Sequence, residues 1–207
     1  MSETATLPSR HPSAPAAPPT ALPAHAALIA ALSRAVEADG VRAITSRVQH
    51  ELESRIAAGL DLGERFRRPR PDGYARRLFH RDPAGRFSVV AMTWGPGQAT
   101  PLHDHAGIWC VEGVVEGTLE VARYELLAAG ADGVHRFAER GRTTAGVGSS
   151  GALIPPFEYH TLANSSDQAV AITLHVYGGD MDRCSAFEPL GEAGAYRRVE
   201  KTLSFHD

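Results

Sequence analysis

The stretch Gly97-Gln98-Ala99-Thr100-Pro101-Leu102-His103-Asp104-His105 places two histidines one residue apart. Successive side chains of a β-strand point to opposite faces, so His103 and His105 would point to the same side of a strand. Neutral imidazoles are common ligands of transition metals. The stretch therefore predicts a strand that presents two imidazoles to one point, although an isolated motif of this kind is equally typical of a polar surface strand.

A second stretch extends this interpretation. It runs from Pro155 through His160 to Asn164, and Gly117 lies between the two stretches. His160 could supply a third imidazole from the other half of the domain. Three neutral nitrogens without a protein thiolate or carboxylate leave coordination positions open, as a metal that binds substrate requires.

Short β-prone runs separated by turn residues surround both stretches and predict an antiparallel double-sheet roll or barrel. The segment from about Ala128 to Ser150 is long and polar, and we interpret it as a loop. The predicted strands are Tyr74–His80, Phe87–Trp94, Trp109–Val115, Thr118–Leu126, Ala152–Ile154, Ala169–Tyr177 and Arg197–Ser204.

The chain before these strands has a different pattern. Met1–Ala24 is rich in Pro, Ala, Ser and Thr, which predicts a flexible tail. Apolar residues then recur at helical spacing from His25 to Leu60, which predicts two amphipathic helices broken near Asp39-Gly40. We therefore expect one domain over residues 25–207, with helices within 25–66 and a β-barrel over 74–207.

Composition restricts the class of function. The chain has 207 residues, 43% of them hydrophobic, and a formal net charge of -3, which argues against electrostatic binding of nucleic acid. No run reaches the roughly 20 apolar residues of a membrane-spanning helix, and we recognise no secretory signal. We expect a cytoplasmic protein, a monomer or small homo-oligomer, in which Cys110 and Cys184 are thiols unless chemistry engages them.

The two stretches together resemble the signatures of the cupin superfamily. The first signature is Gly-x5-His-x-His with a later glycine, and the second is Pro-x4-His-x3-Asn. The resemblance implies a mainly β fold, the double-stranded β-helix or jelly-roll barrel, here preceded by helices. Many cupins carry a metal-binding glutamate four or five residues after the second histidine, where this chain has Trp109 and Cys110. A slip along the strand would change the facing of the nearby Glu112, so we do not assign it as a ligand.

Within the cupins, residues 74–206 resemble cysteine dioxygenase, in its arginine-type bacterial form. The resemblance implies one Fe(II) per chain on His103, His105 and His160, and oxidation of L-cysteine by both atoms of O2 to cysteine sulfinic acid. Alternatives are 3-mercaptopropionate or another small thiol as substrate, or a metal-binding cupin that is no oxygenase. The matching pieces, in order, are Tyr74-Ala75-Arg76, Trp94-Gly95, His103-Asp104-His105, Cys110, His160, Thr173–Tyr177 and Thr202–His206.

The resemblance also implies roles in substrate binding. Cysteine offers a thiolate and an amine to iron, and Arg76 matches the arginine that binds the substrate carboxylate through its planar fork. Tyr74 would place its hydroxyl near that arginine. The alternatives are that Arg76 and Arg77 are charged positions on an edge strand and that Tyr74 is a core residue.

Thr173, His175 and Tyr177 alternate, so their side chains should share one face of a strand. In the family the equivalent residues form a hydrogen-bonded relay that ends at a tyrosine hydroxyl near the iron, which implies catalytic roles for all three; a strand with polar core residues is the alternative. Cys110 matches the cysteine that some members join to this tyrosine by a thioether, so a Cys110–Tyr177 crosslink is implied. A cysteine in a core strand is otherwise a small buried hydrophobe.

Overall fold

Residues 23–207, the part of the chain that the computed structural model describes, begin with two helices. Helix α1 spans Pro23–Ala35 and helix α2 spans Val41–Ala57, followed by a short 3-10 helix over Glu64–Arg67. Gly40 separates α1 from α2 with φ 84°, a backbone conformation that favours glycine. The predicted tail lies outside the described residues except for Pro23 and Ala24, which belong to α1 instead. None of the helices in residues 23–207 is long and apolar enough to cross a membrane.

Eleven strands follow in the described part of the chain, and they form two sheets. The first sheet has the order β1-β2-β9-β4-β7, and the other six strands close a ring in the order β10-β11-β6-β5-β8-β3. The mainly β cupin fold is thereby confirmed. The strands are β1 Ala75–Arg81, β2 Ser88–Trp94, β3 Leu102–His103, β4 Cys110–Glu116, β5 Thr118–Ala129, β6 Val134–Gly146, β7 Ser150–Leu153, β8 His160–Ala163, β9 Ala171–Tyr177, β10 Arg183–Pro189 and β11 Ala195–Thr202.

The five-stranded sheet is covered on both faces, which explains why every residue of β2 and β9 is buried. Its outer face packs against the helices, with Leu52 of α2 in the same apolar cluster as Val111 and Leu174. The alternate residues of β4 and β9 point inward, toward the six-stranded sheet. The interior between the two sheets is where the predicted site residues meet.

The interpretation of 128–150 as a loop is wrong. Most of it is β6, which pairs with β5 in an antiparallel ladder. Most β6 residues are exposed or half-buried, so the apolar alternation that reveals a strand with one buried face is weak. Strands β8 and β10 were also missed, and the strand predicted to carry His103 and His105 ends at His103, so that His105 lies in the following loop.

Candidate metal centre

Three histidines converge between the two sheets. His103 on β3 is the register partner of His160 on β8, and His105 follows β3 in the loop toward β4. One ring nitrogen from each of the three lies within 4.8 Å of the others. The antiparallel pairing of β3 with β8 thus brings together the two stretches identified in the sequence.

Hydrogen bonds select which nitrogen each histidine can offer. Nδ1 of His103 lies 3.1 Å from the carbonyl oxygen of Pro101, and Nδ1 of His160 lies 2.8 Å from that of Glu158. A carbonyl only accepts, so both Nδ1 atoms carry the proton and both Nε2 atoms present a lone pair when the ring is neutral. His105 is fully buried, and neither of its ring nitrogens has a hydrogen-bond partner among residues 23–207.

Burial keeps two of these rings neutral. Burial, reinforced by the neighbouring His160, lowers the pKa of His103 to about 3, and the same causes lower the pKa of His105 well below its ordinary value. A metal requires neutral imidazoles, so this environment prepares His103 and His105 as ligands.

A carboxylate that we left unassigned in the sequence also faces the cluster. Glu112 is two residues after Cys110 on β4, so it points to the same inner face. Its Oε1 lies 3.2 Å from Nε2 of His160 and 3.1 Å from Nδ1 of His175. Although burial opposes its charge, these two imidazoles lower the pKa of Glu112 well below the ordinary range; Glu112 in turn raises the pKa of His160 against the effect of burial.

Thr173 and His175 form a buried hydrogen-bonded chain with Trp94. The indole Nε1–H of Trp94 donates to Oγ1 of Thr173 at 3.0 Å, and Oγ1 lies 2.7 Å from Nε2 of His175. Nδ1 of His175 then faces Glu112, although the 3.1 Å contact is not aligned as a hydrogen bond. The predicted relay to Tyr177 differs from this chain: the ring of His175 stacks beside Tyr177 with centroids 6.0 Å apart, and the described residues show no hydrogen bond between the two.

Cys110 and Tyr177 are register partners on neighbouring strands. Both are buried, and burial raises the pKa of each well above its ordinary value. The ring of Tyr177 also packs edge-on against His105, with centroids 5.8 Å apart. Tyr177 therefore lies between the cysteine and the histidine cluster.

A cavity of about 380 Å³ opens from the cluster and is lined by Arg76, Tyr74, His103, Glu112 and Tyr177. Arg76 is 3% exposed, and its Nη1 and Nη2 donate to the carbonyl oxygens of Ser204 and Met181 at 3.1 and 2.9 Å. Its Nε has no partner within residues 23–207.

Arg77 and Tyr74 lie close to Arg76 in the chain but make different contacts. Arg77 points the other way, to Thr93 at 3.1 Å, so strand alternation sends Arg76 alone to the cavity. Tyr74, just before β1, stacks on Trp94 with centroids 4.6 Å apart, and burial raises its pKa. The cavity thus combines a buried cation with the histidine cluster.

The donor set fits a transition metal. A fully buried imidazole with no partner at either nitrogen among residues 23–207, beside two further ring nitrogens and a carboxylate, is a costly arrangement without a cation. The residues that could hold such an ion are His103, His105 and His160, with Glu112 beside them. Sequence reasoning did not assign Glu112, because its contacts depend on the register of β4 against β9.

Comparison with known proteins places the chain among thiol-oxidising relatives. The family model described as "Cysteine dioxygenase type I" matches residues 20–189. Cysteine dioxygenase type 1 of Rattus norvegicus is 25% identical over 122 residues, which cover 59% of this chain and 58% of the relative. The chain thus matches less than two thirds of the length of that curated relative.

Two solved structures are similar to part of the chain. The protein TT1209 from Thermus thermophilus has a TM-score of 0.44 and 21% identity, over 58% of this chain and 97% of that one. A conserved protein with a double-stranded beta-helix domain from Klebsiella pneumoniae has a TM-score of 0.42 and 20% identity, over 57% of this chain and 88% of that one.

Proposed function

The chain belongs to the cysteine dioxygenase type I family, and from this premise we propose that it is an iron-dependent thiol dioxygenase acting on L-cysteine. The reaction adds both atoms of one O2 molecule to the sulfur, so that the thiol becomes a sulfinic acid and no external reductant is consumed. One Fe(II) per chain is held by His103, His105 and His160.

One observation carries the choice of a carboxylated thiol: Arg76 lines the same cavity as His103. A buried guanidinium whose Nε has no partner among the described residues offers a directed N–H to an anion. A cavity of about 380 Å³ is at the small end of the range for small-molecule sites. The site thus suits a short molecule with a carboxylate at one end and a metal-binding sulfur at the other.

Each neighbouring residue has a role in this proposal. Arg76 binds the carboxylate of the substrate, and Tyr74 lines the same part of the cavity. Bound iron supplies a centre at which a thiolate and dioxygen can meet. Tyr177 places its hydroxyl beside the reacting region, and the chain from Trp94 through Thr173 holds His175 in a fixed orientation.

Oxygen uptake tests the proposal. The protein is loaded anaerobically with Fe(II), mixed with L-cysteine, 3-mercaptopropionate or cysteamine, and followed with an oxygen electrode while products are identified by mass. We expect uptake with a sulfinate product for the two carboxylated thiols and much slower uptake for cysteamine, which lacks the carboxylate. If 3-mercaptopropionate exceeds L-cysteine, it is the substrate; iron-loaded protein that oxidises no thiol would instead be a metal-binding cupin of another function.

The variant Arg76→Gln tests the role of the guanidinium. Losing a charge-assisted contact of about 1.5–3 kcal/mol should lower kcat/KM for L-cysteine by roughly 10- to 100-fold and leave cysteamine turnover nearly unchanged. Arg81→Gln is the matched control, because Arg81 lies on the same strand but pairs with Asp180 at the surface. An equal loss for both thiols would contradict carboxylate binding by Arg76.

A further inference from the structure

The carboxylate of Glu112 approaches the one nitrogen of His160 that can bind a metal. Nδ1 of His160 donates to the carbonyl of Glu158 at 2.8 Å, so coordination must occur through Nε2. Oε1 of Glu112 lies 3.2 Å from that same Nε2. Glu112 therefore contacts the metal-binding edge of the ring and not its outer edge.

This contact requires a positive centre. The Nε2 atom of a neutral imidazole and the oxygen of a carboxylate both present lone pairs, which repel unless a proton or a metal ion lies beside them. A metal that binds Nε2 replaces the proton there. Two ligands at right angles, each about 2.1 Å from an ion, are separated by about 3.0 Å, close to the 3.2 Å observed between Nε2 and Oε1.

Other contacts place the carboxylate within the cluster. An oxygen of Glu112 lies within 4.8 Å of a ring nitrogen of His105 and of the sulfur of Cys110. His175, from the strand next to β4, contacts Glu112 at 3.1 Å and is itself held by Thr173. Glu112 thus lies between His160 of the six-stranded sheet and His105 of the loop after β3 on one side and the imidazole of His175 on the other.

We propose that Glu112 is a fourth protein ligand of the metal, together with His103, His105 and His160. An octahedral ion then keeps two positions for small molecules, where three histidines alone would leave three. If the protein is a thiol dioxygenase, as proposed above, the thiol substrate then binds through sulfur alone. The amine of L-cysteine is then not needed for binding, and thiols that lack it should be accepted.

Cobalt(II) binding tests the proposal without thiol or dioxygen, so its outcome is independent of whether the protein oxidises thiols. Co²⁺ affinity is measured by competition with a chromophoric chelator for the full chain, Glu112→Gln and Glu116→Gln, and the visible spectrum of each Co²⁺ form is recorded. Glu116 is on the same strand but is exposed and pairs with Arg67. The thermal midpoint of each metal-free protein verifies its fold.

We expect Glu112→Gln to remain folded, to weaken Co²⁺ binding at least tenfold and to change the Co²⁺ absorption bands, while Glu116→Gln matches the parent throughout. Unchanged affinity in Glu112→Gln would overturn the proposal. Weakened affinity with an unchanged Co²⁺ spectrum would also overturn it, because the carboxylate would then lie near the ion without binding it. If Glu112→Gln fails to fold, the absence of carboxylate coordination in a crystal structure of the Co²⁺-loaded parent would overturn it.

Discussion

Cys110 and Tyr177 lie directly opposite each other on β4 and β9, and both side chains are buried. Formation of the thioether implied by the family resemblance breaks one S–H and one aromatic C–H bond and makes one C–S bond. Two hydrogens and two electrons pass to dioxygen. Cross-strand partners are close enough that no strand has to move for this bond to form.

We predict that protein purified with iron under air contains this crosslink. Intact-mass spectrometry should show a population lighter than the unmodified chain by two hydrogen atoms, with the loss assigned to a peptide pair that contains Cys110 and Tyr177. The loss should disappear in Cys110→Ser and persist in Cys184→Ser, which changes the other cysteine. A mass loss that survives Cys110→Ser, or one that never forms with iron and thiol present, would contradict the prediction.

Some residues of the site could be predicted from the sequence and others could not. His103 and His105 could be found from their spacing, because an alternating strand would bring both imidazoles to one side, although His105 lies in the loop that follows β3. Glu112 could not, since its direction depends on the register of β4 against β9. That register pairs Glu112 with His175, a contact between residues 63 positions apart that no local pattern encodes.

At the scale of elements, β4 supplies Cys110 and Glu112 to the site, and β9 supplies His175 and Tyr177. Gly178 follows β9, and its N–H donates to the carbonyl of Trp109, just before β4, at 2.9 Å. A Cβ added at Gly178 would overlap the indole of Trp109. This glycine lets the ends of the two strands approach beside Cys110 and Tyr177.

Gly178→Ala should therefore destabilise the protein, by roughly 1–3 kcal/mol as is typical of overpacking. Gly151→Ala on β7 is the matched control, because an added Cβ there meets no atom within 4 Å. Chemical denaturation of both variants, followed by tryptophan fluorescence, measures the difference. Equal stability of the two variants would show that Trp109 moves aside at little cost.

The elements themselves were predictable where one face is apolar. The two helices carry clear periodic patterns, and the strands β2, β4 and β9 are short runs rich in apolar residues, because each packs against the core. In contrast, β6 is long but mostly polar, and its pairing with β5 is what makes it a strand. The two-residue strand β3 is too short for any periodicity, although it carries His103.

At the scale of the whole molecule, the fold favours the neutral form of several histidines more strongly than water does. Burial lowers the pKa of His103 to about 3 and also lowers the pKa of His105, His80 and His206. The unfolded chain takes up protons on these residues near pH 6.5, whereas the folded protein does not. Acidification below about pH 6.5 therefore stabilises the unfolded state relative to the metal-free fold.

Stability of the metal-free protein should consequently fall from about pH 6.5 to about pH 5, a window above the range in which the carboxylates titrate. His160 acts differently: its raised pKa adds stability that is complete below about pH 6.5 and is lost only as the pH rises through the folded pKa. It therefore does not cancel the loss due to His103 and His105. The free energy of unfolding is measured by denaturant titration at several pH values. Its slope against pH gives the number of protons that the chain takes up on unfolding.

The variant His105→Leu tests how much of this pH dependence comes from the histidine cluster. Neither ring nitrogen of His105 has a partner within the described residues, so the variant loses no hydrogen bond to them, and the pH dependence between about 6.5 and 5 should decrease by about one proton. Added Co²⁺ should raise the unfolding free energy of the parent and should raise that of His105→Leu much less, since a ligand that binds only the folded state stabilises it.

A parent protein whose stability is constant or increases on acidification would show that these histidines accept protons in the fold, and the description of a cluster held neutral for metal binding would be wrong.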